Sequence, residues 1–192
     1  TFTRVGHTFA GWAETENGEA KYQGAEKLAT GFDVSAGAKV HLYAVWTLNK
    51  YTVSFNANGG STVESQIVEY GKYASEPAST RWGYRLVGWY TGDEKFDFAA
   101  TPIADNIELT AKWKVNAPAI DPDGGKFTGS VEITITCAAE NAVIYYTIDG
   151  TTPDETSTRY TGTFKLKEIA TVKAIVIEDG CVSSDVVEAS FK

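Results

Sequence analysis

The chain has 192 residues, of which 43% are hydrophobic, 22% charged and 12% aromatic, and its formal net charge is −8. That is the composition of a soluble globular protein with room for one large domain or two to three small ones, and it excludes disorder over most of the length. The acidic balance disfavours nucleic acid and anionic membrane surfaces as partners. No apolar run approaches the roughly 20 residues of a membrane span. Two cysteines are too few for a disulfide scaffold or a cysteine zinc site.

The chain opens inside a phrase that it later repeats: TRVGHTFAGW at 3–12 and TRWGYRLVGW at 80–89 share Thr, Arg, Gly, Gly and Trp at matching places. A catalytic motif is seldom duplicated within a small protein, whereas a repeated structural unit must repeat its fold signals. A start in mid-phrase implies a fragment of a longer protein, with any signal peptide or wall anchor outside it. The polar stretch ETENGEAKYQGAEKLATGF (14–32) reads as loop. VHLYAVW (40–46) then closes the first copy. The phrase recurs at an offset of 77 residues (3 to 80) but the closing tryptophan at 67 (46 to 113), so the first copy carries about ten extra residues.

The second copy is complete. YTVSFN (51–56) alternates as a half-buried strand, with Tyr51, Val53 and Phe55 on one face. ANGGS follows as a turn whose glycines accept positive φ. QIVEYG (66–71), the loop KYASEPAST, the strand GYRLVGWY (83–90) and the closing strand NIELTAKWK (106–114) complete the unit. In the closing strand Ile107, Leu109, Ala111 and Trp113 face one way. FDFAATPIA (96–104) is a weak helical candidate that Pro102 limits to a turn or two. The first copy has no counterpart of YTVSFNANGG in this sequence, which predicts an open sheet edge and packing of residues 1–47 on the second copy or on a neighbouring molecule.

After Lys114 the style changes. NAPAIDPDGG (116–125) is a linker and turn cluster. The runs VEITITC (131–137), AVIYYTID (142–149), FKL (164–166), TVKAIVI (171–177) and VVEASF (186–191) are short strands separated by turn signals, as in a β-sandwich.

YTVSFNANGG, VEYG, the TRxGYxxxGWY phrase and LTAKW together resemble the internalin-type B-repeat, or Listeria-Bacteroides repeat. This is a small β-grasp-like module found in tandem on bacterial surface proteins. Residues 51–114 cover the whole pattern and 1–47 its latter part. Residues 118–192, with the DGTTP turn and the VKAI strand, resemble the immunoglobulin-like chitobiase/β-hexosaminidase C-terminal module. Both resemblances imply non-catalytic, extracellular modules of a bacterial cell-surface protein, with no cofactor and no shared ligand to carry over.

Candidate chemistry is sparse. Trp12, Trp46, Trp89 and Trp113 read as core, because a small domain cannot spare large aromatics. Trp82 aligns with Val5, so the fold does not demand it; an exposed Trp82, with Tyr73 or Tyr90 nearby, is the candidate stacking contact for a ligand, and packing against a neighbouring module explains it equally well. Arg4 and Arg81 read as makers of fold contacts. His7 and His41 are not matched between copies, no GxSxG nucleophile is present, and Asp93 with Glu94 in a loop do not make the carboxylate pair of a glycosidase. DPDGG lacks the further ligands of a calcium loop and reads as an Asx-type turn, and Asp149 likewise reads as a turn former. No catalytic or metal-binding residue is therefore assigned. If the sandwich has the usual seven strands, Cys137 and Cys181 lie at one end and a disulfide is reachable, unless their Cα atoms are more than about 7 Å apart; each also serves as a small buried hydrophobe.

The resulting expectation is a mainly β chain of tandem small β-grasp-like repeats plus an immunoglobulin-like β-sandwich, divided at 1–47, 51–114 and 118–192. Short links near Leu48–Lys50 and Val115–Pro118 should restrict hinge motion. The expected role is a non-enzymatic stalk, spacer or adhesion region, acting as a monomer at the cell surface, with a surface glycan or a host protein as the partner class. The competing expectation is a carbohydrate-binding accessory region of a secreted glycoside-degrading enzyme.

Overall fold

The alternating runs become strands in a computed structural model that describes residues 2–24 and 39–192. The two copies contribute β1 (His7–Ala13), β2 (Tyr43–Leu48), β3 (Lys50–Asn56), β4 (Gln66–Glu69), β5 (Tyr84–Thr91), β6 (Glu94–Lys95) and β7 (Ile107–Val115). Along β7 alternation is complete: Leu109, Ala111, Trp113 and Val115 are all 1% exposed or less, as a one-sided sheet requires. The candidate helix at 96–104 is a single turn, in which the amides of Ala100 and Thr101 bond to Asp97 O and Asp97 Oδ1 accepts from Ala99 and Ala100. Of the polar loop predicted at 14–32, residues 25–32 lie outside the described residues.

β1 and β2 form a two-stranded antiparallel sheet. β3 to β7 form a five-stranded sheet in the order β4-β3-β7-β5-β6. The remaining strands are β8 (Ala119–Asp121), β9 (Gly124–Gly125), β10 (Val131–Thr136), β11 (Val143–Thr147), β12 (Thr158–Arg159), β13 (Phe164–Leu166), β14 (Ala170–Ile177) and β15 (Val187–Phe191). They make two sheets, β13-β10-β8 and β12-β11-β14-β15-β9. Between them lies a core of Ile133, Ile135, Leu166, Val172, Ala174, Val176 and Phe191. Seven strands were expected here and eight are present. The additional pairing comes from DPDGG: Gly124 and Gly125 run parallel to Ser190 and Phe191, and a Cβ on Gly124 would stand 2.7 Å from Ser190 O. The glycines there permit close strand approach. Asx turns form at other aspartates, with Asp149 Oδ1 accepting from Thr151 N and Asp154 Oδ1 from Thr156 N.

The chain divides into two compact units that group residues differently from the sequence boundaries. One holds the described residues up to Ser54 with Glu64–Glu76 and Asp97–Glu108; the other holds Phe55–Val63, Pro77–Phe96 and Leu109–Lys192. The first copy is therefore clustered with part of the second repeat. The TRxG turn and most of the closing strand of the second repeat are clustered with the sandwich.

Candidate functional site

The repeated phrase writes the same backbone twice. His7 N–H donates to Arg4 O and Tyr84 N–H to Arg81 O, each at 3.0 Å, so Arg-x-Gly makes one tight turn in both copies. Gly6 (φ 69°) and Gly83 (φ 82°) occupy the left-handed region that an L side chain resists. The pairing register then slips once, between Phe9 and Gly11 in β1 and between Leu86 and Gly88 in β5. This is a β-bulge, which sharpens twist. Beyond it Trp12 pairs with Ala44 and Trp89 with Ala111. In the second copy Lys95 Nζ donates to the carbonyl of the bulged Val87 at 2.9 Å.

The richest polar cluster joins the second turn to the sandwich. Arg81 Nη2 pairs with Glu178 Oε1 at 2.8 Å, with only 18% and 14% of the two side chains exposed. Arg81 Nη1 donates to Cys181 Sγ at 3.4 Å. Its guanidinium carbon lies 3.6 Å from the centroid of the Tyr84 ring, a cation–π contact. The Tyr84 hydroxyl donates to the other Glu178 oxygen. Burial, then the bond to Glu178, pushes the Tyr84 hydroxyl up to about 12. Burial opposes the charge on Arg81, but the bonds to Glu178 and Cys181 outweigh it and raise the Arg81 pKa. Alongside, Val115 N–H donates to Val182 O and Val182 N–H to Trp113 O. Lys114 Nζ lies 2.6 Å from Asp185 Oδ1, which lowers the Asp185 carboxyl. Val115 is part of the buried sandwich core, and Tyr84 packs against it. Nothing in the local sequence marked Glu178, Val182 or Asp185; only their long-range partners give them a role.

Trp82 is 83% exposed and lines a cleft of about 470 Å³ together with Arg81, Gly83, Asn116 and Ala138. Tyr73, 54% exposed, lines a different groove with Gln66, Glu69 and Lys72 in the other compact unit. Tyr90 is half-buried beneath Lys112, whose Nζ is 5.0 Å from the ring centroid. Cys137 and Cys181 are both free thiols, packed at the edge of the sandwich core; Cys137 contacts Ala139 O at 3.4 Å. His7 Nδ1 contacts Val5 O at 2.8 Å, and His41 is exposed. Among the described residues no group of three His, Cys, Asp or Glu could hold a metal ion, and no helix is long and apolar enough to cross a membrane.

Comparison with known proteins agrees with the duplicated geometry. Residues 1–45 and 51–112, more than half of the chain, match the Listeria-Bacteroides repeat domain. Residues 122–188 match the chitobiase/beta-hexosaminidase C-terminal domain. The chain is 37% identical over 119 residues to internalin H of Listeria monocytogenes, covering 59% of this chain and 20% of that protein. It is 34% identical over 146 residues to a protein of Evansella cellulosilytica named as a candidate membrane protein, covering 73% of this chain and 21% of that one. A second protein of that organism, named as a candidate Gly-rich membrane protein, is 33% identical over 139 residues, covering 69% of this chain and 16% of that one. The chain thus spans about a fifth or less of each of these relatives. No solved structure matches.

Proposed function

Because the chain belongs to the Listeria-Bacteroides repeat family and carries a hexosaminidase-type sandwich module after its repeats, we propose that it is a non-catalytic spacer in a bacterial surface protein, holding a working domain out from the cell wall. The observation that carries this reading is the construction of the links. A single residue, Asn49, separates β2 from β3. At the other end of the complete repeat, the Arg81–Glu178 pair ties the TRxG turn, and the bonds of Val182 to Trp113 and Val115 tie the closing strand, to the sandwich. Links so short and so tied resist hinge motion, which suits a stalk better than a flexible tether. β-grasp-like folding of each repeat, an extracellular setting and a monomeric state belong to the same proposal. Residual dipolar couplings on the full chain test it: one alignment tensor shared by the repeat and the sandwich is expected, and independent tensors overturn it.

A second reading rests on one specific observation, the exposed Trp82 beside a cleft. Exposed indoles stack on apolar faces of ligands, so a carbohydrate-binding accessory role follows from that feature. A glycan array decides between the readings. Micromolar binding to a defined glycan that is lost in Trp82→Ala supports the accessory role; an array without signal supports the spacer.

A further inference from the structure

The two TRxG turns share more than their own shape, because each faces the module that comes next. At the first, a Cβ on Gly6 would collide with the ring of Tyr70, the tyrosine of VEYG in the second repeat. At the second, a Cβ on Gly83 would stand 2.7 Å from both Ala138 C and Ala139 N of the sandwich. The absent side chain is the seat in both places. The carbonyls of Gly6 and Gly83 each accept, at 2.9 Å, the amide of the asparagine that follows the closing strand, Asn49 and Asn116. Asn49 O in turn accepts the amide of Tyr70 at 2.9 Å, which links the turn to its receiving surface. The residue between Arg and Gly points away from the contact, with Val5 79% and Trp82 83% exposed.

We propose that the TRxG turn is a docking element with which each repeat seats the module following it, and that the tyrosine of VEYG is the surface on which a following repeat receives that turn. The complete repeat carries both halves. Its Tyr70 receives Gly6 of the preceding repeat, and its Gly83 sits against the Ala138–Ala139 peptide of the sandwich. The partner is therefore a further repeat bearing VEYG, or a sandwich edge that presents bare backbone. Arg81 is an accessory at the sandwich joint, where Glu178 meets it; among the described residues Arg4 has no ion-pair partner. A pairing in which one module offers the glycine and the next the tyrosine propagates head to tail and gives each joint the same geometry. This extends the spacer reading but can fail independently of it, since docking is read at each joint and not from any ligand or from alignment of the whole chain.

The test uses the full chain with glycine replaced by asparagine, the residue that best tolerates positive φ, so that the turn survives and only the approach is blocked. The control is Gly71→Asn, at φ 76° with nothing within 4 Å of an added Cβ. In Gly83→Asn the alkylation rate of Cys181, which lies against Arg81 and Glu178, should rise about tenfold or more while amide exchange in the β11–β14 ladder of the sandwich stays unchanged. In Gly6→Asn amide exchange at Asn49 and Tyr70 should rise by a similar factor, about tenfold, with the β5–β7 ladder still protected. Gly71→Asn should alter neither. Behaviour of Gly6→Asn and Gly83→Asn indistinguishable from the control overturns the proposal. So does a parallel loss of protection in the β11–β14 or β5–β7 ladder, because the glycines would then be needed for folding of the modules themselves.

Discussion

The two copies of the repeated phrase have nearly the same backbone and very different surroundings. Trp89 and Trp113 are buried to 0% and 1% exposure, each with its indole N–H bonded, to Pro77 O and Ala57 O. Phe55 of β3 packs edge-on against Trp89 at 5.0 Å. Trp12 and Trp46, their counterparts, are only half-buried, clustered with Phe2 and Phe9 through edge-to-face contacts of 5.2 to 5.4 Å. The expectation that all four form core therefore holds fully in the second copy and only halfway in the first. Strand β3 and the turn after it supply the cover in the second copy. Turn and bulge are local instructions and repeat wherever the phrase is written; burial is a property of what lies opposite.

Substitutions at the tryptophans give the largest test of that contrast. Trp113→Ala and Trp89→Ala should each cost about 3–5 kcal/mol in urea denaturation, the usual range for a large buried aromatic. Trp46→Ala and Trp12→Ala should cost about half as much or less, because their rings bury less area. Equal losses in the two copies would erase the distinction.

The arginines sharpen it next. Arg81→Ala leaves Glu178 largely buried without its cationic partner, with only the Tyr84 hydroxyl still donating to it, so a loss of about 1–3 kcal/mol is expected in thermal or urea unfolding of the sandwich-containing unit. Arg4→Ala, at an exposed position, should stay within about 0.5 kcal/mol of the parent. A double-mutant cycle of Arg81→Ala with Glu178→Gln isolates the pair, and zero coupling would show that the contact adds nothing to the joint.

Smaller again is Lys114→Ala. Its partner Asp185 is 77% exposed, and an exposed pair contributes about 0–1 kcal/mol, further reduced by salt. The change in midpoint should shrink as ionic strength rises; a salt-independent loss would point to packing of the lysine stem.

The pH dependence of Tyr84 is the finest probe. Its folded pKa, about 12, lies above its ordinary value near 10, so the folded state favours the protonated phenol. The associated stability is fully present below about pH 10 and is lost as pH rises through about 12. Tyr84→Phe should remove this alkaline loss relative to the parent while changing neutral-pH stability less than Arg81→Ala does. Chemical-shift titration of the Tyr84 ring checks the pKa directly, and a midpoint near 10 would contradict it.

Much of the fold was legible. Strict alternation placed β3, β5 and β7 to within a residue or two, because a strand with one buried face must alternate. The five shared positions of TRxGxxxxGW (Thr, Arg, Gly, Gly and Trp) predicted a repeated unit from the sequence alone. Turn signals placed five of the sandwich strands but missed β8, β9 and β12; in β9 Gly-Gly carries no hydrophobic pattern, and its pairing to β15 depends on a segment more than sixty residues away. The candidate ligand site was less legible: exposure of Trp82 followed from its mismatch with Val5, whereas no local pattern around Tyr73 or Tyr90 says what lies beside them, because that is set by distant segments.

By itself, then, the sequence determined what neighbouring residues decide: strand periodicity, the Arg-x-Gly turn, the bulge before each Gly-Trp, and membership of a repeat family. Tertiary structure alone decided which surfaces meet. Gly83 could have served only as a turn former, and Arg81 could have paired with any nearby carboxylate. That Gly83 faces Ala138–Ala139, that Arg81 reaches Glu178 and that Val115 enters the sandwich core depend on residues far along the chain. The physical reason is that φ/ψ preference and alternation act over a few residues, while burial and ion pairing are set by whichever distant segment the folded chain brings into contact.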